Sequence, residues 1–273
     1  MPVTVKTCAT PAEAATTLMS DRGARFIAGG TLVMRAVNEG DISVTTLVRL
    51  GDRALSQIRM TGSRVTLGAE VTLAAIARER ELAFLHPVVR SIGGPAVRTT
   101  GTVGGNLFAP SPFGDLCVAL LALDAAVSVQ SAYGARDTSL EDFLSGRDRN
   151  AGQLALGVSF ERPATPDAFR WRKASRVKPK GASVVSIAAH LPNTGGRLSN
   201  VRIAYGAMAP TAIRAKAAER ALEGRLLDEA GIAGAVAVAA EGTSPTTDAL
   251  ATAWYRREVV GVHLRRLLTR RDA

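Results

Sequence analysis

Two glycine-rich stretches have the residue types for a chemical role: AGGT at 28–31 and GTVGGN at 101–106. Glycine lets the main chain take positive φ and approach a ligand closely, because no Cβ is in the way. Successive amide N–H groups at such a turn form a cradle for an anion. Each stretch suits one phosphate and the pair suits a pyrophosphate, with hydroxyl donors from Thr31 and Thr102. A tight turn is the alternative for either stretch alone, since neither matches the dinucleotide fingerprint or the P-loop.

The elements that must position these stretches alternate between strands and helices. Strand-like segments at 3–9, 24–30 and 45–50 surround a helix at 10–20, which predicts a small βαβ-like unit. Each glycine-rich stretch is predicted to join a strand-like segment to a helical turn. The remaining predicted segments of this half are a strand, turn and helix at 63–79, a helix at 82–94, a buried helix at 116–123, and strands at 125–130 and 153–160.

The part after a proline-containing linker at 161–167 has a different order of segments. Strands come first and helices follow, which indicates an α+β domain. The predicted strands lie within 168–177, 182–191 and 197–210, and the predicted helices span 212–224, 226–242 and about 248–270. We therefore expect an α+β fold with domains at 1–163 (a βαβ-like lobe of about 1–53 and a larger α+β lobe of 54–163) and 168–273 (a three-stranded antiparallel sheet with a helical bundle).

The charge of the chain is positive and uneven. The net charge is +10, and residues 161–273 hold 19 of the 34 Lys and Arg residues against 10 of the 24 Asp and Glu residues. Basic surfaces can bind nucleic acid or acidic partners. Aromatic residues make up only 4% of the chain, which argues against base stacking, and no nucleic-acid-binding motif is present. With neither a signal peptide nor an apolar run long enough for a membrane span, we expect a cytoplasmic protein that binds no nucleic acid.

The cysteines and histidines limit the metal chemistry of the chain. There are two cysteines, Cys8 and Cys117, and three histidines far apart in sequence. An iron–sulfur cluster normally needs four cysteines, so this chain alone does not supply one. No spacing is typical of a metal site. We expect two buried thiols and no protein-bound metal.

The ordered set of segments resembles the FAD-binding medium subunit of the molybdenum hydroxylases, the family of carbon monoxide dehydrogenase and xanthine dehydrogenase. The resemblance covers essentially the whole chain, which makes it far more specific than either glycine-rich stretch. The matching segments are AGGT (28–31), VTLGAEVTLAAIA (65–77), GTVGGNL (101–107), SPFGD (111–115) followed by ALLALDA (119–125), SVVSIAAHL (183–191), VRIAYGAMAPTAIRA (201–215) and WYRREVVGVHLRRLL (254–268).

The resemblance implies a set of residues that hold FAD. Residues 28–32 and 102–106 would line the pyrophosphate, and Asp115 would bind the sugar-like part of FAD or cap the helix that follows it. Strand 153–160 would pass the flavin with Ala155 or Leu156 nearest. No catalytic side chain and no metal ligand is implied in this chain. The implied cofactor-binding residues are Ala28, Gly29, Gly30, Thr31, Leu32, Ile92, Thr102, Val103, Gly104, Gly105, Asn106, Asp115, Ala155 and Arg172.

Two positions depart from the family pattern. Leu32 stands where relatives usually have a polar residue. Relatives place a lysine near the flavin on the first strand of the C-terminal domain, where this chain has Arg172 in register and Lys173 beside it. Neighbours on a strand point to opposite faces, so at most one of the two points to the flavin. A solvated basic strand is the alternative explanation for this segment.

The resemblance implies an oxidoreductase subunit that transfers electrons. The chain would be the FAD-containing medium subunit of a heterotrimer, with a molybdopterin-binding large subunit and a 2Fe–2S small subunit as partners, and the heterotrimers could pair into dimers. Electrons would come from the iron–sulfur clusters of the partner and pass to NAD+, quinone or another acceptor. The alternatives are a scaffold subunit that has lost flavin and a self-sufficient flavin oxidoreductase.

Overall fold

A computed structural model describes residues 3–147, 152–177 and 181–270 of the chain. From the N-terminus to residue 109 the elements are β1 (Thr4–Cys8), α1 (Pro11–Ser20), β2 (Ala24–Phe26), α2 (Val33–Asn38), β3 (Thr46–Leu50), a 3₁₀ turn (Arg53–Ser56), β4 (Ile58–Thr61), β5 (Arg64–Gly68), α3 (Leu73–Ile76), a 3₁₀ turn (Arg80–Leu85), α4 (His86–Arg90), α5 (Pro95–Thr100) and α6 (Val103–Leu107).

The rest of the described chain adds nine strands and five helices. Between residues 110 and 177 the described elements are α7 (Asp115–Ala122), β6 (Ala126–Ser131), β7 (Gly134–Ser139), α8 (Leu140–Gly146), β8 (Leu154–Glu161), a 3₁₀ turn (Pro166–Ala168) and β9 (Phe169–Ser175). From residue 181 to residue 270 they are β10 (Ser183–His190), β11 (Asn193–Thr194), β12 (Arg197–Leu198), β13 (Arg202–Gly206), β14 (Ile213–Arg214), α9 (Lys216–Leu222), α10 (Glu229–Ala237) and α11 (Ala253–Thr269).

The described residues form two compact units that are not continuous in sequence. The first unit consists of the residues up to Arg78 together with Gly94–Ala109 and Ala125–Phe160. The second consists of Glu79–Gly93, Pro110–Asp124 and the residues from Glu161 onward. Along the sequence, two segments of the second unit therefore lie between segments of the first unit.

The first unit begins with the predicted βαβ-like lobe. Strands β1, β3 and β2 form a parallel sheet in that order. Helix α1 begins as its sequence predicts, because the Thr10 hydroxyl accepts a hydrogen bond from the Glu13 amide at 3.2 Å and Pro11 occupies the first turn. Ala14 and Ala15 of α1 pack with Val48 of β3 in the core of this lobe.

A five-stranded sheet, in the order β4–β5–β8–β6–β7, completes the first unit. The sequence patterns do not predict β7, α8 or α5. Strand β7 is an edge strand with mostly exposed residues, so it lacks the alternation of buried and exposed side chains that marks a strand. Helix α5 starts at Pro95, directly after the glycine pair at 93–94, and glycines at such a position are more typical of a helix end than of a helix start.

The second unit is built on a sheet in the order β14–β13–β10–β9, with antiparallel neighbours. The prediction of three strands was wrong in number, because the short β14 pairs with β13 through Ala204–Arg214 and Tyr205–Ile213. The predicted α+β class and the helices at the C-terminal end are confirmed.

The two faces of this sheet carry different helices. Ile187 and Tyr205, opposite each other on β10 and β13, belong to one core with Val260 and Leu264 of α11. On the other face, a Cβ at Gly206 would lie 2.7 Å from a methyl carbon of Val118 in α7. Side chains alternate along a strand, so α7 covers one face and α9–α11 cover the other.

Helix α7 is unusual because all eight of its residues are buried. A helix that is apolar on all sides belongs in the middle of a unit rather than on its surface. It packs against β10 and β13 of the second unit. Within the described residues, no helix is both long and apolar enough to span a membrane.

Candidate functional site

The first unit brings the two glycine-rich stretches together. A Cβ at Gly29 would lie 1.6 Å from the carbonyl oxygen of Thr100, so only glycine permits this approach. The Thr31 Oγ1 atom lies 3.7 Å from the position of a Cβ at Gly101. Stretches about seventy residues apart in the chain are therefore in direct contact, as a shared anion site requires.

The stretch 28–32 presents a row of backbone donors. It follows β2, and Gly30 has φ +70°, a conformation that favours glycine. The five residues are half-buried. Within the described residues, none of their amide N–H groups donates a hydrogen bond to the protein. Because buried amide groups are nearly always paired, donors in this position fit an acceptor supplied by a ligand or by water.

Most amide groups of the stretch 101–106 are bonded within the protein, unlike those of residues 28–32. The stretch follows the helix α5, not a strand, and runs directly into α6. The Val103 amide donates to Val71 O at 2.9 Å, and the Gly104 amide to Ala69 O at 2.7 Å. The Gly105 amide donates to the Thr102 hydroxyl, which caps α6. These three N–H groups already have acceptors within the protein, so they add no free donor to an anion cradle, and the contact of Thr102–Asn106 with a cofactor stays a prediction.

Only part of this second stretch is accessible to a ligand. Thr102, Val103 and Gly104 are buried, whereas Gly105 is exposed and Asn106 is partly exposed. A Cβ at Gly104 would lie 3.1 Å from both Cβ and O of Ala69. At Gly105 it would meet only the Thr102 hydroxyl oxygen, at 3.2 Å. Gly104 therefore serves packing, and Gly105 leaves open surface beside the backbone.

The Asn106 side chain stabilises the short helix α6. Its Nδ2 donates to Thr102 O at 3.2 Å, so the side chain ties the end of α6 to its beginning. Such local side-chain bonds to the backbone are typical of asparagine. The bond uses one of the two Nδ2 hydrogens, and the second is a donor on the accessible part of the stretch.

Asp115 forms a buried ion pair in the second unit. Its Oδ2 lies 2.7 Å from Lys173 Nζ, and its Oδ1 accepts from the Ser183 hydroxyl at 2.7 Å. The Asp115 and Lys173 side chains are 6% and 8% exposed, so the pair is almost fully desolvated. Lys173 also donates to Ser91 O at 3.0 Å. Burial of this kind is tolerated because each charge has an opposite charge and further hydrogen bonds.

Asp115 is not the cap of α7. The helix starts at Asp115 itself, and the preceding Gly114, with φ +91°, occupies the cap position without a side chain to bond the helix amides. The carboxylate in the first turn still interacts favourably with the helix dipole. The capping alternative raised from the sequence was therefore wrong.

Arg172 and Lys173 point to opposite faces of β9, as strand alternation predicts. Arg172 lies opposite Ile187, on the face covered by α11, and its Nε donates to His263 Nδ1 at 3.2 Å. Lys173 lies opposite Ser186, on the face covered by α7. Lys173 therefore shares its surroundings with Asp115, whereas Arg172, the residue predicted to bind the cofactor, does not.

His263 is held neutral by its surroundings. Burial, together with the charges of Arg172 and Arg266, lowers the pKa of His263 to about 4. The neutral ring can accept the hydrogen bond from Arg172 through Nδ1. His263 thus orients the Arg172 guanidinium without adding a positive charge beside it.

The remaining predicted residues are Ala155, with its alternative Leu156, and Ile92. Ala155 lies on β8 and is only 4% exposed. The neighbouring Leu156 is partly exposed, and its carbonyl accepts a hydrogen bond from the Ala69 amide at 2.9 Å. Ile92 is half-buried after α4, one residue beyond the Ser91 carbonyl that binds Lys173.

Sequence reasoning missed Ser183 as a partner of Asp115. A signal for it existed, because Ser183 and Ser186 are the two hydroxyl residues of β10, a strand that is otherwise apolar up to its last residue, His190. Buried polar side chains are normally hydrogen-bonded, so a serine in such a strand indicates a partner on the facing element. Ser183 meets that expectation, whereas the Ser186 hydroxyl has no partner within the described residues.

Family models identify the class of protein. Residues 2–160 match the FAD binding domain in molybdopterin dehydrogenase. Residues 170–270 match the CO dehydrogenase flavoprotein C-terminal domain. The chain is thus a flavoprotein component of the oxidoreductase type, and the resemblance inferred from its sequence is confirmed.

Individual relatives agree with the family models. The carbon monoxide dehydrogenase medium chain of Afipia carboxidovorans is 30% identical over 258 residues, which cover 92% of this chain and 89% of that one. The structure of reconstituted CO dehydrogenase from Oligotropha carboxidovorans matches with a TM-score of 0.89 at 27% identity, covering 99% of this chain and 97% of that one. Quinoline 2-oxidoreductase from Pseudomonas putida 86 matches with a TM-score of 0.86 at 27% identity, covering 99% and 96%. The chain belongs to the family of FAD-binding medium subunits of the molybdenum hydroxylases.

Proposed function

We propose that this chain binds the pyrophosphate of FAD with the amide groups of residues 28–32 and the accessible surface of Gly105 and Asn106. The observation that carries the proposal is the row of amide groups without a protein acceptor, directly beside the second glycine-rich stretch. Such donors suit phosphate oxygens, which are strong acceptors and carry negative charge.

The contribution of the chain is to bind and orient. Bound FAD supplies the redox chemistry, as cofactors do in such proteins. Gly29 allows the two stretches to touch, and Gly30 turns the chain so that successive N–H groups can converge. Neither stretch contains an acid–base pair or a nucleophile, so the residues present fit a cofactor site better than a hydrolytic one.

In its family context, we propose that the chain is the electron-transfer component of a larger assembly. Its partners would be a large subunit with the molybdopterin cofactor and a small subunit with 2Fe–2S clusters. Electrons would enter from those clusters and leave to NAD+, quinone or another acceptor. The family membership supports this assignment, and the two cysteines of this chain, both buried and free, fit a division in which clusters belong to a partner.

The proposal is tested by reconstituting the full chain with FAD. We expect flavin absorbance bands to remain with the protein after gel filtration, at close to one flavin per chain. Riboflavin, which lacks the phosphates, is the matched ligand and is expected to wash off. A folded chain that retains no FAD would overturn the proposal. Purification from the source cells tests the assembly, because two further chains are expected to accompany this one.

A further inference from the structure

Arg147, at the end of α8, is a buried cation that bonds to the backbone directly after the second glycine-rich stretch. The residue is 8% exposed. Its Nη1 donates hydrogen bonds to the carbonyl oxygens of Leu107 and Ala109, both at 3.0 Å. Leu107 is the last residue of α6, the helix that carries Gly105, and Ala109 follows it by two residues.

The chemistry of this contact explains why an arginine is buried here. The last carbonyls of a helix have no partner within the helix, and leaving them buried and unpaired is unfavourable. A guanidinium bonds more than one acceptor at a fixed geometry, and its positive charge suits the negative end of the helix. Arg147 therefore fixes the position of the end of α6.

A second contact from α8 reaches the same part of the chain. Phe143, one helical turn before Arg147, packs edge-on against Phe108, with ring centroids 5.4 Å apart and an interplanar angle of 87°. Residues four apart lie on the same face of a helix, so one face of α8 holds residues 107–109 at two points.

The other end of α6 is fixed as well. The Thr102 hydroxyl caps it, and the Gly104 amide is bonded to Ala69 O. Gly105 lies between these two fixed ends and faces outward. The position of the exposed Gly105 backbone relative to residues 28–32 therefore depends on where α8 holds the C-terminal end of α6.

We propose that Arg147 is a positioning residue for the phosphate site, acting through α6. This inference rests on the proposed binding of FAD pyrophosphate at Gly105 and residues 28–32. Loss of the guanidinium would release the carbonyls of Leu107 and Ala109 and let α6 shift, so that ligands containing the pyrophosphate bind more weakly.

The test compares Arg147→Met with Arg147→Lys in the full chain. We expect Arg147→Met to weaken binding of both FAD and ADP roughly tenfold, by the same factor, because the two share the pyrophosphate. Arg147→Lys keeps a charged donor and is expected to restore most of the affinity. The matched control is Arg59→Met, which removes an exposed arginine of β4 and is expected to change neither affinity.

Several outcomes overturn the inference. A folded Arg147→Met chain with wild-type affinity for FAD and ADP would do so. If Arg147→Met does not fold, Phe143→Leu decides, since it removes the ring contact with Phe108 and keeps apolar bulk. We expect that variant to bind ADP about two- to threefold more weakly, and unchanged binding would overturn the inference. Failure of the proposed function looks different, because the wild-type chain would then bind neither FAD nor ADP.

Discussion

Single glycines in this chain have separate tasks that their sequence context does not reveal. Gly29 allows backbone to touch backbone, Gly104 allows α6 to lie on Ala69, and Gly105 leaves an exposed surface without a side chain. Sequence alone places Gly104 and Gly105 in one functional group. The difference between them depends on which side of a one-turn helix faces the neighbouring strand, which only tertiary packing decides.

Replacing Gly105 with valine is expected to lower FAD affinity at least about tenfold with little change in stability, because the new side chain would occupy the exposed surface proposed for phosphate. A fluorescence titration of FAD together with urea unfolding measures both effects. Gly104→Val is the control, and it should mainly destabilise the fold, since its Cβ meets Ala69 at 3.1 Å. Equal FAD affinity in Gly105→Val and wild type would contradict the proposed contact between Gly105 and the phosphate.

The pair Arg172 and Lys173 shows how far strand alternation carries a prediction. Alternation correctly placed the two side chains on opposite faces, but it did not indicate which face α7 would cover. That choice follows from the register between β9 and β10, since Lys173 lies opposite Ser186 and Arg172 opposite Ile187. Register is a long-range property, and family resemblance selected Arg172 where the packing groups Lys173 with Asp115.

At the scale of elements, the segments with strong local signals were predictable. Helix α1 shows its cap, proline and apolar face in the sequence, and α7 shows its continuous apolar run. The missed elements lack such signals, because β7 is an exposed edge and β14 has only two residues. Their structure comes from pairing with β6 and β13, which local propensity does not encode.

Helix α11 is joined to the sheet by a fully buried arginine. Arg256 has no exposed surface, and it bonds Val184 O at 3.0 Å, Thr246 O at 2.9 Å and both oxygens of Asp248. The side chain thereby connects β10, the segment before α11 and the first turns of α11 itself. Its contribution is to the arrangement of the second unit, since none of these partners belongs to the proposed phosphate site.

Arg256→Met is expected to destabilise the chain by about 3–5 kcal/mol, because it leaves Asp248 and two carbonyls without their partner. Arg256→Lys should restore little of this, since one amine cannot reproduce the planar fork. Urea unfolding followed by circular dichroism measures the change. The neighbouring Arg257→Met, at an exposed position, should stay within about 0.5 kcal/mol of wild type. A similar small effect for Arg256→Met would contradict this account.

At the scale of the whole molecule, ionisation links local packing to global stability. His263 in the folded chain has a pKa lowered to about 4, by burial first and by the charges of Arg172 and Arg266 next. An unfolded histidine titrates near 6.5. Between these values the unfolded chain binds more protons than the folded chain, so stability is fully present above about pH 6.5 and falls as the pH drops toward 4.

His263→Asn is expected to reduce this loss, because the amide oxygen can accept from Arg172 in place of Nδ1 but does not titrate. Between pH 7 and pH 4.5 the wild type should lose about 1–2 kcal/mol more than the variant, a figure reduced for the partial exposure of the ring. Urea unfolding at the two pH values gives the difference. If the free energy of unfolding falls equally with pH in the wild type and the variant, His263 does not contribute to the loss of stability at low pH.

The interleaving of the two units has a consequence for how the chain is made. The predicted boundary near residues 163–168 divides the sequence, but the second unit also includes Glu79–Gly93 and Pro110–Asp124. Helix α7 leaves the ribosome early, and the strands that cover it, β10 and β13, come more than sixty residues later. Until β10 and β13 have been synthesised, the apolar surface of α7 lacks the strands that cover it. A fragment that ends at residue 160 would therefore lack the strands that cover α7, and we expect the exposed apolar surface of α7 to make it prone to aggregate.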